Sequence, residues 1–109
     1  MINSTSIVIY LDTKGMITDC NDLMLEETKL KKEQIINKYY LDIVKQTPKE
    51  KSFKQGWPKI SKGESVQYTN REQTENEVII STESFIPVLD SNEKVYKIIH
   101  IETKTDFKI

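Results

Sequence analysis

The 109-residue chain carries a formal net charge of −1 with 30% charged residues, which suits one domain, one hydrophobic core and a nearly balanced, well-solvated surface. Arg71 is its only arginine, so the guanidinium forks that read phosphates and bases are scarce and no nucleic-acid partner is expected. Cys20 is its only cysteine, which excludes an internal disulfide and a multi-cysteine metal centre and fits a reducing, cytoplasmic setting.

The opening residues MINSTSIVIY lack the basic start and long apolar run of a signal peptide. No apolar stretch reaches the roughly 20 residues that span a bilayer, so no direct membrane insertion is expected. Residues 6–11 (SIVIYL) are β-branched and apolar and predict a buried strand. Residues 12–15 signal a turn, with Gly15 suited to positive φ, and residues 16–20 predict the returning strand. Asn21 or Asp22 can cap the helix that follows, and short helical segments are expected from Lys32 and over residues 39–44.

Past Pro48, the spacing of Phe53, Trp57 and Ile60 predicts a further helix, with a kink or break at Pro58. Gly63 closes the helical region. Three strands are then expected over residues 66–70, 78–88 and 95–103, separated by turns at 74–76 and 90–93. No repeat or linker divides the chain, which reads as a single α+β domain over residues 1–109.

With these elements in place, the chain resembles the PAS domain family along nearly its whole length. The resemblance rests on the Asp12-x-x-Gly15 turn, on Asn21 ahead of the first helix, and on Thr28-Lys29-Leu30 followed by Glu33-Gln34-Ile35-Ile36-Asn37-Lys38. It continues in Phe85-Ile86-Pro87-Val88-Leu89-Asp90 and in Thr105-Asp106-Phe107-Lys108, which occupies the place of the family's terminal motif. Lys29, Asn37 and Glu93 stand where the family carries glycine. The segment FKQGWPKISKGE is similar to PAS domains of bacterial chemotaxis receptors and sensor kinases. The resemblance implies a five-stranded antiparallel sheet with short helices packed on one face. It also implies a small ligand or cofactor between the two layers, and a signal leaving through the last strand at Thr105 and Asp106.

Strand alternation, aligned by the family's proline, turns Ile79, Ser81, Glu83 and Phe85 toward the helices, together with Val66, Tyr68 and Asn70. On the last strand the inward set is Tyr96, Ile98, His100 and Glu102, and the apolar residues between them suggest a partner on the opposite sheet face. The candidate ligand-binding residues are Trp57, Tyr68, Asn70, Ser81, Glu83 and His100. Each has a plainer reading. Ser81 and Glu83 line a polar pocket or the register is the other one, since a one-residue slip reverses every side chain. Asn70 contacts a ligand or belongs to a turn. Trp57 stacks on a cofactor or packs in the core. His100, the only histidine, is a ligand contact or a structural strand residue.

Haem is not expected, because the helices contain no histidine, and a light-sensing flavin is not expected, because the Asn-Cys-Arg-Phe-Leu-Gln motif is missing. No other cofactor is named. Cys20 reads as inert, the cluster of Asp19, Asn21 and Asp22 beside Asp12 as turn and cap rather than metal site, and the Lys29, Lys31 and Lys32 run as a solvated face. The expected function is a bacterial sensory module of a two-component or chemotaxis system, homodimeric and non-catalytic, controlling an output domain not present in these residues. Two alternatives stay open: a ligand-free dimerisation module and, more remotely, a small α+β enzyme.

Overall fold

In the computed structural model, which describes residues 6–109, strict alternation builds the first strand. β1 (Ser6–Leu11) buries Ile7, Ile9 and Leu11 on one face, and Ser6, Val8 and Tyr10 stay half-exposed on the other. Residues 1–5, part of the stretch read above as no signal peptide, lie outside the described residues. Asp12 Oδ1 accepts from the backbone N–H of Lys14 (2.8 Å) and Met16 (3.0 Å), closing the turn into β2 (Ile17–Cys20). Met16, expected as the first residue of β2, makes an isolated bridge with Tyr39 instead.

A single amide joins the hairpin to the first helix. Asn21 Oδ1 accepts from Val8 N (3.1 Å) and from Met24 N (3.3 Å), while its Nδ2 donates to the Ser6 carbonyl (2.9 Å). It therefore caps α1 (Asp22–Thr28) and ties it to β1, a cap worth about 1 kcal/mol. α2 (Lys32–Ile35) and α3 (Tyr40–Ile43) follow, and α4 (Pro48–Ser61) begins on Pro48, whose absent N–H would have had no helical partner. α4 runs on through Pro58, where a kink or break was expected. The carbonyl that Pro58 leaves without its helical donor is that of Lys54, an exposed residue, so water can serve it. Buried Phe53, Gly56 and Ile60 hold α4 against the core on both sides of that point.

β3 (Val66–Gln73), β4 (Glu77–Leu89) and β5 (Val95–Lys108) complete an antiparallel sheet of order β2-β1-β5-β4-β3. The core lies between one sheet face and the helices, with Ile7, Ile9, Tyr40, Phe53, Phe85 and Ile98 at most 2% exposed. β3 and β5 both outrun their expected lengths, and β5 does so because residues 105–108 pair one by one with residues 77–80. Polar side chains hid this end of the ladder from a reading based on apolar runs.

Register places the inward side chains side by side. Val66 pairs with Phe85, Tyr68 with Glu83 and Asn70 with Ser81, and across the next ladder Phe85 pairs with His100 and Glu83 with Glu102. The expected inward set shares one face, with one correction. Tyr96 is 52% exposed, because the β4–β5 register shifts there: Val88 pairs with Lys97 but Leu89 with Val95. The extra residue in β5 reverses the alternation locally and turns Tyr96 out.

A candidate ligand cavity at the sheet–helix junction

Beyond the apolar core, the inward face of the sheet becomes polar as β3, β4 and β5 run toward the 74–77 turn. A cavity of about 420 Å³ opens there, lined by Asn70 and Glu72 of β3, by Ile79, Ser81 and Glu83 of β4, and by Glu102, Lys104 and Asp106 of β5. Thr47, Pro48 and Lys49 at the start of α4, and Glu27 of α1, form the opposite wall. A smaller, mainly apolar cavity of about 160 Å³, walled by Ile7, Ile43 and Val44 among others, shares Glu27, Thr47 and Lys49 with it.

Of the six candidates from the sequence, the fold brings Asn70, Ser81 and Glu83 together in this cavity. Asn70 Nδ2 donates to Glu83 Oε2 over 3.1 Å. Tyr68 sits instead against α4, where a Cβ on Gly56 would lie 2.9 Å from the Tyr68 hydroxyl oxygen and 3.0 Å from Val66 Cγ2. Gly56 thus lets α4 approach β3 closely, and Tyr68 is one side of that contact. Trp57 packs on Phe53 with ring centroids 4.9 Å apart, half-buried at the core's edge.

His100 lies in the core beside the cavity, fully buried and stacked on Phe85 at 4.1 Å. Its Nδ1 donates to the Ser84 carbonyl (3.1 Å), which leaves Nε2 to accept from the Tyr40 hydroxyl (3.1 Å). Both ring nitrogens are therefore engaged inside the protein. Burial, and to a lesser degree the Lys49 charge, push its pKa down to about 4, so the ring is neutral near pH 7. The same burial raises the Tyr40 hydroxyl well above its ordinary value.

Glu83 and Glu102 carry the electrostatics of the site. Both are buried, at 0% and 1% exposure, and they face each other across the β4–β5 ladder. Lys49 Nζ pairs with Glu102 Oε2, and Lys104 Nζ with Glu27 Oε2 at 3.3 Å. Desolvation, then the Glu102 charge, raise the pKa of Glu83, and Ser52, Lys49 and Asn70 oppose the rise. Glu83 Oε1 and Glu102 Oε1 have no hydrogen-bond partner among the described residues.

Lys49, Glu72, Lys104 and Glu27 were not singled out from the sequence, and Glu102 was placed inward without a role. Carrying the alternation on from His100 through Glu102, Lys104 and Asp106 would have found the β5 wall. Nothing local marks Lys49, whose partner is 53 positions away in the chain. Thr105 and Asp106, the expected exit, are ladder residues paired with Ile80 and Ile79, and Asp106 also lines the cavity. Cys20 is buried at the end of β2.

The fold is shared with distant proteins of known structure. The PAS domain of Bordetella pertussis BvgS matches with a TM-score of 0.71 at 14% identity, over 93% of this chain and 77% of that one. A sensory box sensor histidine kinase from Vibrio cholerae matches with a TM-score of 0.76 at 9% identity, over 92% of this chain and 81% of that one. A variant PAS-B domain of Drosophila melanogaster Cycle with bound glycerol gives 0.69 at 9% identity, over 91% and 99%. No curated protein matches. The family model described as a PAS domain matches residues 4–103, and with sheet order, helix placement and motifs in agreement the chain belongs to the PAS domain family.

Proposed function

We propose that this domain is a sensory module of a bacterial signalling protein, in which a small molecule in the cavity biases the β4–β5 ladder and through it an output domain. The observation that carries the reading is that cavity wall and exit are the same strand. Glu102, Lys104 and Asp106 line the cavity, and Asp106 with Thr105 forms the segment that the family resemblance marks as the exit. A ligand that fits one arrangement of the ladder better than another shifts the balance between them by its differential affinity. The reading is non-catalytic: a base and a nucleophile within reach are required for chemistry, and His100 has both nitrogens engaged in the core. It places the module in the cytoplasm. Among the described residues no helix is long and apolar enough to cross a membrane.

A second reading, a dimerisation module that needs no ligand, draws on the outer sheet face. Ile86, Tyr96 and Phe107 are exposed there at 38%, 52% and 52%. One experiment separates the two. Thermal unfolding against a library of small metabolites is expected to find compounds that stabilise the protein, with the response weakened in Asn70→Ala, Ser81→Ala and Glu83→Gln. A response unchanged in all three variants would rule out the cavity as the site. Self-association in the ultracentrifuge, with no compound stabilising the protein, would favour the second reading.

A further inference from the structure

We propose that the cavity takes a small organic cation, a protonated primary amine on a short alkyl chain, with its ammonium group held between Glu83 and Glu102. The inference rests on the reading of the cavity as a sensor site and names the class of molecule it senses. Directly opposed residues on one sheet face hold their Cβ atoms about 4.5–5.5 Å apart. Glu83 and Glu102 are such a pair, both turned inward and both buried. Like charges in that position repel, and a buried carboxylate oxygen without a donor is costly.

The protein compensates only part of this. Lys49 takes Glu102 Oε2, the Asn70 amide takes Glu83 Oε2, and the Ser52 hydroxyl and the Lys49 charge also favour the Glu83 carboxylate. Among the described residues the two Oε1 atoms remain without hydrogen-bond donors, and His100 Nε2, 3.9 Å from Glu83 Oε1, and Lys104 Nζ, 3.9 Å from Glu102 Oε1, are too far to supply one. His100 Nε2 is moreover an acceptor here, turned to the Tyr40 hydroxyl. What completes the pair is one positive charge with several donors, which describes an ammonium group. Lys49 already shows that Glu102 accepts one on its other oxygen. The terminal torsion of a glutamate is soft, so each carboxylate can turn its shielded oxygen toward an arriving donor.

The surrounding wall argues for the same class. Five carboxylates and two lysines line the cavity, and both lysines are already paired with carboxylates, which disfavours an anionic ligand. Among the described residues no group of three His, Cys, Asp or Glu is arranged to hold a metal ion. Ile79 and Pro48 in the wall, and the adjoining apolar cavity with Ile7, Ile43 and Val44, offer an alkyl chain a place to lie.

The test uses the whole domain in phosphate buffer, since amine buffers would compete, with titration calorimetry and thermal unfolding against four-carbon probes. Butylamine and putrescine are expected to bind and stabilise, whereas butanediol and succinate are not. Glu83→Gln and Glu102→Gln keep the shape and remove one charge each, and each is expected to weaken the amines by about tenfold or more. Asp106→Asn at the open end of the cavity, which leaves the buried pair intact, is expected to weaken them less. Amine binding unchanged in both glutamine variants would overturn the proposal. So would stabilisation by succinate, butanediol or magnesium with the amines silent, although the cavity would then still be a ligand site. No response to any probe, together with no small molecule released from freshly purified protein in native mass spectrometry, would overturn both the class and the sensor reading.

Discussion

His100 shows how far a residue's surroundings can redirect an apparently functional side chain. With a pKa near 4 in the folded state and 6.5 as its ordinary value, it stays neutral in the fold where the unfolded chain takes up a proton. Its contribution to stability is therefore complete above about pH 6.5 and is lost as the pH falls toward 4, an effect of roughly 3 kcal/mol. Glu83 acts in the opposite sense. Its folded pKa is raised from 4.5, so the contribution it makes in acid fades as pH rises through the folded value. The groups around the ring are Tyr40 from α3, Lys49 from α4, Glu83 and the Ser84 carbonyl from β4. Urea unfolding at a series of pH values is expected to lose stability between pH 6.5 and 4 in the natural protein and much less in His100→Gln. An equal slope in the two proteins would mean that another group drives the acid limb.

At the scale of elements, the ends of helices and turns explain where this chain departs from its family's pattern. Lys29 caps α1 at φ 59°, and Asn37 and Glu93 sit at φ 68° and 63°. These are the three positions at which the resemblance expects glycine, so the backbone kept the left-handed conformation while the residue type changed. For a residue with a Cβ that conformation costs about 1–2 kcal/mol, less for asparagine, whose side chain bonds locally. Lys29→Gly relieves the strain, and the added freedom of the unfolded chain offsets part of the gain. The expected net effect is a stabilisation of about 0.5–1 kcal/mol, read as a higher urea midpoint at unchanged slope. A lower midpoint would show that the Lys29 side chain supports the cap.

Elements were largely legible because their signals are local: the Asp12-to-Gly15 turn, the Asn21 cap, and the alternation that set Val66, Glu83, Phe85 and His100 on one face. The bulge that turns Tyr96 outward was not legible, because one extra residue inside a ladder leaves no mark on composition. Nor was the cavity as a whole. Asn70, Ser81 and Glu83 could be placed on the right face, but the Lys49–Glu102 pair joins a helix start to a distant strand, and only the assembled fold brings them together.

The whole molecule is longer than a sphere of its size, with extents of 49 × 33 × 28 Å. Its radius of gyration is 14.5 Å, against roughly 13 Å for a compact chain of this length. The excess fits the end of the sheet near the 74–77 turn, where β3 and β5 become exposed residue after residue. Backbone bonds there are supported by few buried side chains, so that end should open locally at a lower free energy than the β1–β5 centre. The cavity sits on this weaker end, with Ile79, Ser81, Lys104 and Asp106 in its wall. On the proposed sensory reading, a bound molecule would add contacts where the ladder has least support, and its binding energy would go into ordering residues 103–108. Amide exchange is expected to be fast at residues 77–81 and 103–108 in the empty protein, slow at residues 7–9 and 98–101, and slowed selectively at the first pair of segments by a stabilising ligand. Uniform slowing over all four segments would place the coupling in global stability rather than in the exit strand.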